Sequence, residues 1–217
     1  MLKGRTILIT AGPTYEAIDP VRFIGNHSSG LMGYSLALEA ANRGADVILI
    51  SGPTSLTVSH KRISRIDVVS AEDMFDACMN NFFKANIIIM SAAVADYTPE
   101  KFSQSKIKKK QEFVDIKLKP TKDILAELGK IKNKNQVLIG FALETDNEIE
   151  NAKKKLRNKN LDFIVLNSLN DKGAGFGHAT NKVTIIDKQQ NIDTFELKSK
   201  KEVAIDIIQK VVSLIAS

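Results

Sequence analysis

Three short runs of consecutive apolar residues constrain this 217-residue chain more than any other feature: residues 6–10 (TILIT), 46–50 (DVILI) and 86–90 (NIIIM). A strand with one wet face alternates apolar and polar side chains. These runs do not, so both of their faces must be covered. Between them lie segments of helical spacing. Residues 30–43 end before Gly44, and residues 71–85 carry Met74, Cys78 and Phe82 on one stripe. Short buried strands alternating with helices predict an α/β fold of three layers, a mainly parallel sheet with helices on both faces.

The rest of the chain extends this pattern. Strands are expected at 65–70, 137–141 and 163–166, and helices at 122–131 and 147–158. Residues 113–118 (FVDIKL) alternate with period two, and 183–186 with 192–195 read as a closing hairpin. A C-terminal helix carries Val203, Ile207, Val211 and Leu214 on one stripe. Residues 95–112 are polar, contain Pro99 and many lysines, and read as a mobile flap; residues 171–177 (DKGAGFG) form a Gly-rich loop. With no internal repeat, heptad run or low-complexity linker, residues 1–217 are read as one domain.

Composition narrows the function classes. A 43% hydrophobic and 26% charged chain is ordinary for a globular protein and argues against disorder. No stretch of 18 apolar residues offers a membrane span. The single cysteine, Cys78, sits on the apolar stripe of a helix and excludes an internal disulfide framework. No signal-peptide core follows the N-terminus, so a cytoplasmic protein is expected. Trp is absent, which leaves little for stacking nucleic-acid bases. The net charge of +6 is uneven: residues 101–160 hold fifteen Lys and one Arg against eight acids, a local +8 that suits phosphates on nucleic acid or on small metabolites.

In open parallel sheets, ligands bind beyond the carboxyl ends of the strands. That directs attention to the loops at 11–30, 91–106, 119–123 and 141–147. The first contains Gly25-Asn-His-Ser-Ser-Gly30, with the two-glycine spacing of a phosphate-binding loop. Leu31 and Met32 stand where that loop needs Lys and Ser/Thr, so the Walker reading fails. Gly12-Pro13 after the first strand and Ser51-Gly52 after the second also lack the dinucleotide fingerprint. Ser28, Ser29 and Gly30 precede an apolar helix, where serines can cap the helix and its free N–H groups can meet an anion.

Residues 7–54 (ILITAGPTYEAIDPVRFIGNHSSGLMGYSLALEAANRGADVILISGPT) strongly resemble the phosphopantothenoylcysteine synthetases, the phosphopantothenate–cysteine ligases of coenzyme A biosynthesis. Six more landmarks follow in family order. They are SAAVADY (91–97), SKIKK (105–109), KPTKDIL (119–125), GFALET (140–145), KNLDFIVLN (159–167) and GFGHATNKVTII (175–186).

The resemblance implies a Rossmann-like, usually dimeric fold and a two-step reaction. The 4′-phosphopantothenate carboxylate attacks CTP, giving an acyl cytidylate and pyrophosphate; the amine of L-cysteine then displaces CMP. It implies Mg²⁺ with the CTP, with no protein ligand nameable, and no FMN in this chain, because the flavin belongs to a decarboxylase domain that precedes this one in many relatives. A separate phosphopantothenoylcysteine decarboxylase is an implied partner; nucleic acid and membrane are not.

By the same resemblance, Asn26 and Lys106 are catalytic. Asn26 contacts the acyl group or donates to a developing oxyanion, and Lys106 neutralises phosphate charge from the flap. Asp96, Lys119, Pro120, Thr121, Lys122, Phe141, Lys155 and Lys159, together with Lys106, are the nucleotide-binding set. Asn26, Ser28, Ser29, Gly30, Ala92 and Ala93 are the substrate-binding set. Leu143 replaces the second alanine of the usual GFAAET, which leaves the choice between CTP and ATP open. A non-enzymatic phosphate- or nucleic-acid-binding protein on the same fold also stays open.

Overall fold

The computed structural model describes residues 2–109, 114–168 and 178–216, apart from the Ser168 side chain. In chain order, β1 (Thr6–Ala11) is followed by the short β2 (Tyr15–Ala17) and β3 (Phe23–Gly25), then α1 (Leu31–Asn42), β4 (Asp46–Ser51) and β5 (Ile63–Asp67). Next come α2 (Ala71–Phe82), β6 (Ile87–Met90), β7 (Tyr97–Pro99), β8 (Leu118–Pro120), α3 (Ile124–Ile131), β9 (Val137–Glu144) and α4 (Glu148–Asn158). The remainder is β10 (Phe163–Ser168), β11 (Thr180–Asn181), β12 (Val183–Asp187), β13 (Ile192–Thr194), β14 (Lys198–Ser199) and α5 (Lys200–Ala216).

Eight strands form the central sheet in the order β13-β12-β10-β9-β6-β1-β4-β5. The six from β10 to β5 are parallel, and β12 and β13 close one edge antiparallel. The non-alternating runs account for this. Ile87, Ile88 and Ile89 are consecutive and all buried; Ile87 and Ile89 enter the core under α1 and α5, and Ile88 enters the core under α2, α3 and α4. Each such side chain contributes about 1.5–3 kcal/mol on leaving water, and it does so on whichever face it lands.

Local signals set the helix starts. Ser70 and Asp73 form a reciprocal capping box at α2, Asp123 accepts from Ala126 N–H at α3 (3.0 Å), and Ser199 and Glu202 bond reciprocally at α5. The start of α1 departs from expectation: the cap is Gly30 at φ 82°, with no side-chain cap bond. Ser28 and Ser29 instead accept from Gly30 and Leu31 N–H at 3.3 and 3.4 Å. A left-handed residue is needed where the chain turns beside Gly12, and a Cβ at position 30 would lie 3.2 Å from the Gly12 nitrogen.

Several expected boundaries move. The strand expected at 65–70 is Ile63–Asp67, because Ser70 is spent capping α2. The helix expected to reach residue 85 ends at Phe82, and β9 runs on to Glu144. Of the alternating run 113–118, only Leu118 enters a strand; residues 114–117 precede it without strand assignment, and Phe113 lies outside the described residues. The Gly-rich loop 171–177 also lies outside them. The polar stretch before Ser29 holds a ribbon that the sequence pattern does not announce, β2 paired with β3, with Tyr15 and Phe23 stacked at 3.8 Å. The region read as a flap begins with a second ribbon, β7 paired with β8, which packs beside β2.

One buried carboxylate joins the flap to the first ribbon. Asp19 is 2% exposed and lies in the turn between β2 and β3. It accepts from the N–H groups of Val21 and Arg22 (both 2.9 Å), from the Arg22 guanidinium, and from Ile107 N–H (3.1 Å). Arg22 in turn donates to the Ile107 carbonyl (3.0 Å), and Ser103 N–H donates to the Ile18 carbonyl (3.0 Å). Both backbone groups of Ile107, the neighbour of Lys106, are therefore held by one ion pair. The Arg22 guanidinium and three backbone N–H groups hold the Asp19 carboxyl far below the usual carboxylate range, against the opposing effect of burial.

A carboxylate with a depressed folded-state value contributes fully above its unfolded value of about 3.9 and loses its contribution only as pH falls through the folded one. Hydrogen exchange over residues 101–109, taken relative to the intrinsic rate at each pH, is therefore expected to stay equally slow from pH 8 to pH 5. In Asp19→Asn it should speed up at every pH in that range, with limited proteolysis tracking it. Equal protection in the variant, or loss of protection in the parent between pH 7 and pH 5, would contradict the latch.

Candidate active site

The strand order places a reversal beside β1. From β1 the chain proceeds outward to β4 and β5, then returns to β6 on the other side of β1. The loops leaving β1 and β6 part at that point, which is where open α/β sheets bind ligands. Here the two loops are tied together: Ala93 N–H donates to the Gly12 carbonyl (2.9 Å), Ala92 N–H to Thr10 Oγ1 (3.1 Å), and Ala95 N–H to Thr14 Oγ1 (3.0 Å). A cleft of about 630 Å³ opens above them.

Most residues singled out in the sequence line this one cleft: Asn26, Ser28, Ser29 and Gly30 from the first loop, Ala92, Ala93 and Asp96 from the second, Pro120, Thr121 and Lys122 from the third, and Phe141, Lys155 and Lys159 from β9 and α4. Lys106 and Lys119 are exposed and outside its wall. Lys119 lies on β8 opposite Thr98, and Lys106 is on the segment held by Asp19 and Arg22. Leu143 does reach the wall.

Individual side chains are arranged for different tasks. The Asn26 amide nitrogen donates to the carbonyls of Ala93 (3.0 Å) and Val94 (3.2 Å). Both of its hydrogens are thus engaged, and the group it offers a ligand in this arrangement is the acceptor oxygen rather than an oxyanion donor. Thr121 is a fastener: its hydroxyl donates to the Ala95 carbonyl (2.7 Å) and its N–H to the Asp96 carbonyl (2.9 Å). Lys122 pairs with Glu72 (2.6 Å) and lies over the Phe75 ring at 4.3 Å, so its charge is drawn toward α2. Phe141 serves two purposes, bounding the cleft and packing on the core under α1 and α5.

Cations of the cleft sit on both faces of the sheet. On the α3/α4 side, Lys159 pairs with Asp123 (2.6 Å) and Lys155 donates to the Phe141 carbonyl (3.1 Å). Burial, and then the Lys159 charge, push the Lys155 ammonium below its ordinary value. Asp123 is raised by burial, but the Lys159 and Ala126 hydrogen bonds outweigh that and leave it lowered. On the α1/α5 side, the wall contains Asn167, Asn181 and Lys200. The two asparagines stand within the sequence landmarks at 159–167 and 175–186, but nothing in the sequence marks Lys200.

Among the described residues, no group of three or more His, Cys, Asp or Glu is placed to hold a metal ion. A divalent cation here would arrive on a polyphosphate and take at most one or two ligands from the chain. Cys78 is buried, and its thiol is pushed up to about 12 by that burial, so it is no nucleophile. Five lysines of the basic block (Lys122, Lys130, Lys132, Lys153 and Lys159) are engaged in ion pairs.

The α4 lysines make a directly testable anion seat. Pyrophosphate should raise the melting temperature of the parent by mass action and have little effect on Lys155→Met. Because a desolvated charge is removed along with one hydrogen bond, the variant itself should stay within about 1 kcal/mol of the parent in stability. An unchanged pyrophosphate response in the variant would count against the seat.

Comparison with known proteins agrees with this geometry. Among the described residues no helix is long and apolar enough to cross a membrane. The chain is 47% identical over 213 residues to the coenzyme A biosynthesis bifunctional protein CoaBC of Bacillus subtilis (strain 168), covering 98% of this chain and 52% of that protein. It is 58% identical over 214 residues to a cysteine/cysteine sulfinic acid decarboxylase of an unknown prokaryotic organism, covering 99% of this chain and 60% of that protein. The chain thus spans between half and three fifths of these curated relatives. The solved C-terminal domain of a CoaBC protein superposes with a TM-score of 0.85 at 42% identity, covering 99% of this chain and 97% of that one. The mainly parallel sheet with helices on both faces is accordingly the Rossmann-like fold of that domain. Residues 2–215 match the DNA/pantothenate metabolism flavoprotein C-terminal domain, and the chain belongs to that family.

Proposed function

We propose that this chain is the phosphopantothenate–cysteine ligase of coenzyme A biosynthesis, using CTP. The observation that carries the reading is a single cleft at the strand ends that gathers Lys155 and Lys159 of α4, Lys200 of α5, and Asn26 held against Ala93 and Val94. A reaction that joins a phosphorylated acid to a nucleoside triphosphate must bring two polyanions together, and such a cleft separates their charges while bringing their reactive ends close. The kinship with CoaBC proteins supports the same reading.

In the first step a carboxylate oxygen of 4′-phosphopantothenate attacks the α-phosphorus of CTP. The bond to the β-phosphate oxygen breaks, and pyrophosphate leaves with that electron pair. Lys155 and Lys159 face the charge that accumulates on the departing phosphates, and Lys106 adds to it from the flap. In the second step the cysteine amine attacks the acyl carbon; the acyl–oxygen bond breaks, CMP leaves with the oxygen, and the nitrogen sheds a proton. The Asn26 oxygen accepts from the incoming N–H and orients its lone pair. Mg²⁺ carried by CTP shields the triphosphate when bound. Leu143 reaches the cleft wall, where its bulk bears on the choice of base; the family resemblance is what favours CTP over ATP.

The exposed apolar residues Val21, Phe23, Tyr97, Phe102 and Leu118 lie on or beside the two adjoining ribbons. They support a homodimer formed through that surface. A cytoplasmic location and association with a separate phosphopantothenoylcysteine decarboxylase complete the proposal.

Incubation with 4′-phosphopantothenate and CTP should release pyrophosphate, with CMP and amide appearing only when cysteine is added. ATP in parallel should be the poorer substrate. Asn26→Ala, by misplacing the incoming amine, should lower turnover by about 10²-fold. Carbon dioxide release from cysteine alone, the activity in the 58%-identical relative's name, would favour a decarboxylase instead. Pyrophosphate release that does not need the acid would defeat the ligase reading.

A further inference from the structure

Asn26 is not carried by the central sheet. It follows β3, which among the described residues pairs with β2 alone, and a two-stranded ribbon is marginal unless something outside it holds it. Asn26 is placed by that ribbon. A Cβ at Gly25 would lie 2.9 Å from the Thr14 carbonyl oxygen and 2.8 Å from the Tyr15 ring, so the residue before Asn26 is pressed against the start of β2. What holds β2 therefore sets where the Asn26 amide meets Ala93 and Val94. At the middle of β2 the holder is Glu16. Its side chain is 4% exposed, stands opposite Ile24 in the register and accepts from Ala71 N–H at 2.8 Å. Beside it, Tyr15 N–H donates to the Val69 carbonyl (2.8 Å).

A buried carboxylate is a costly way to fill that space. Helix α2 does not need it: Ser70 and Asp73 already close a capping box, and Glu72 and Asp73 put two acids in the first turn. A methionine of similar volume would pack there without a buried acid. What the carboxylate adds is direction, a single bond that fixes the ribbon to the start of α2. We infer that Glu16 is a positioning residue for Asn26: by tying β2 to α2, it holds the Asn26 oxygen where the incoming amine needs it. This rests on the ligase reading and on the part of Asn26 in its second step. Loss of the tie then damages one step selectively. The cations that face the departing pyrophosphate, Lys155 and Lys159, stand on α4 and at its end, and their places do not depend on the ribbon.

Rapid-quench measurement of the two half-reactions tests this. In Glu16→Met, pyrophosphate release from 4′-phosphopantothenate and CTP should stay within about twofold of the parent, while cysteine-dependent CMP and amide formation should slow by about tenfold or more. Glu16→Gln, which keeps the acceptor, should restore most of that rate. Ala71→Pro removes the donor instead. The first position of a helix tolerates proline, and Ser70 before it is already extended. This variant should show the same split, and combining it with Glu16→Met should cost no more than the larger single change. In an Asn26→Ala background, Glu16→Met should slow amide formation by no more than about a further twofold. Equal slowing of both half-reactions, unchanged amide formation, or a full additional loss on top of Asn26→Ala would overturn the assignment. If Glu16→Met does not fold, Ala71→Pro decides by the same criterion. A parent that makes no amide would refute the ligase reading, whereas an active parent whose variants show no selective loss would refute only the role of Glu16.

Discussion

Burial of the central strands on both faces governs everything else in this protein. When Ile87, Ile88 and Ile89 are all driven into cores, one on alternate sides, no polar function can be placed along the strands. Chemistry is pushed to the strand ends, and the reversal between β1 and β6 decides which end loops part to form a cleft. The hydrogen bonds from Ala92, Ala93 and Ala95 to the β1 loop then fix the floor of that cleft. The position of the cleft is thus a consequence of hydrophobic patterning, not a feature added to it.

The two faces also divide the electrostatics. Helices α3 and α4 bring Lys155 and Lys159, moderated by Asp123, while α1 and α5 bring two helix starts and Lys200. Burial lowers both the Lys155 and the Lys200 ammonium groups. Lys106 stands apart from these wall residues. Its segment is anchored through Ile107 to Asp19 and Arg22, which connects the flap to the same ribbon that carries the exposed Val21 and Phe23.

The sheet and its main helices were legible because non-alternating runs and 3.6-residue stripes are local signals. The ribbons β2–β3 and β7–β8 were not, since three-residue strands carry too little pattern and are held by partners distant in sequence. At the site, the motif loops announced most of the cleft wall. The serines at 28 and 29 were read as helix caps, yet the left-handed turn at Gly30 displaces them from that role. The resemblance offers Asn26 two roles, contact with the acyl group or donation to an oxyanion; two carbonyls of the neighbouring loop claim its hydrogens, which speaks against the second alone. Lys200 was invisible because a lysine opening a helix normally reads as solvated. Only the pairing of β11 with β14, which brings residues 180–181 beside 198–199, turns that helix start into the cleft.

The most direct measurement of the single-cleft account is a crystal structure with 4′-phosphopantothenate and a CTP analogue that cannot release pyrophosphate. Both ligands are expected in the one cleft, with the nucleotide phosphates near Lys155 and Lys159 and the acid's carboxylate beside Asn26. Either ligand bound outside this cleft, or nucleotide phosphates away from Lys155 and Lys159, would contradict it.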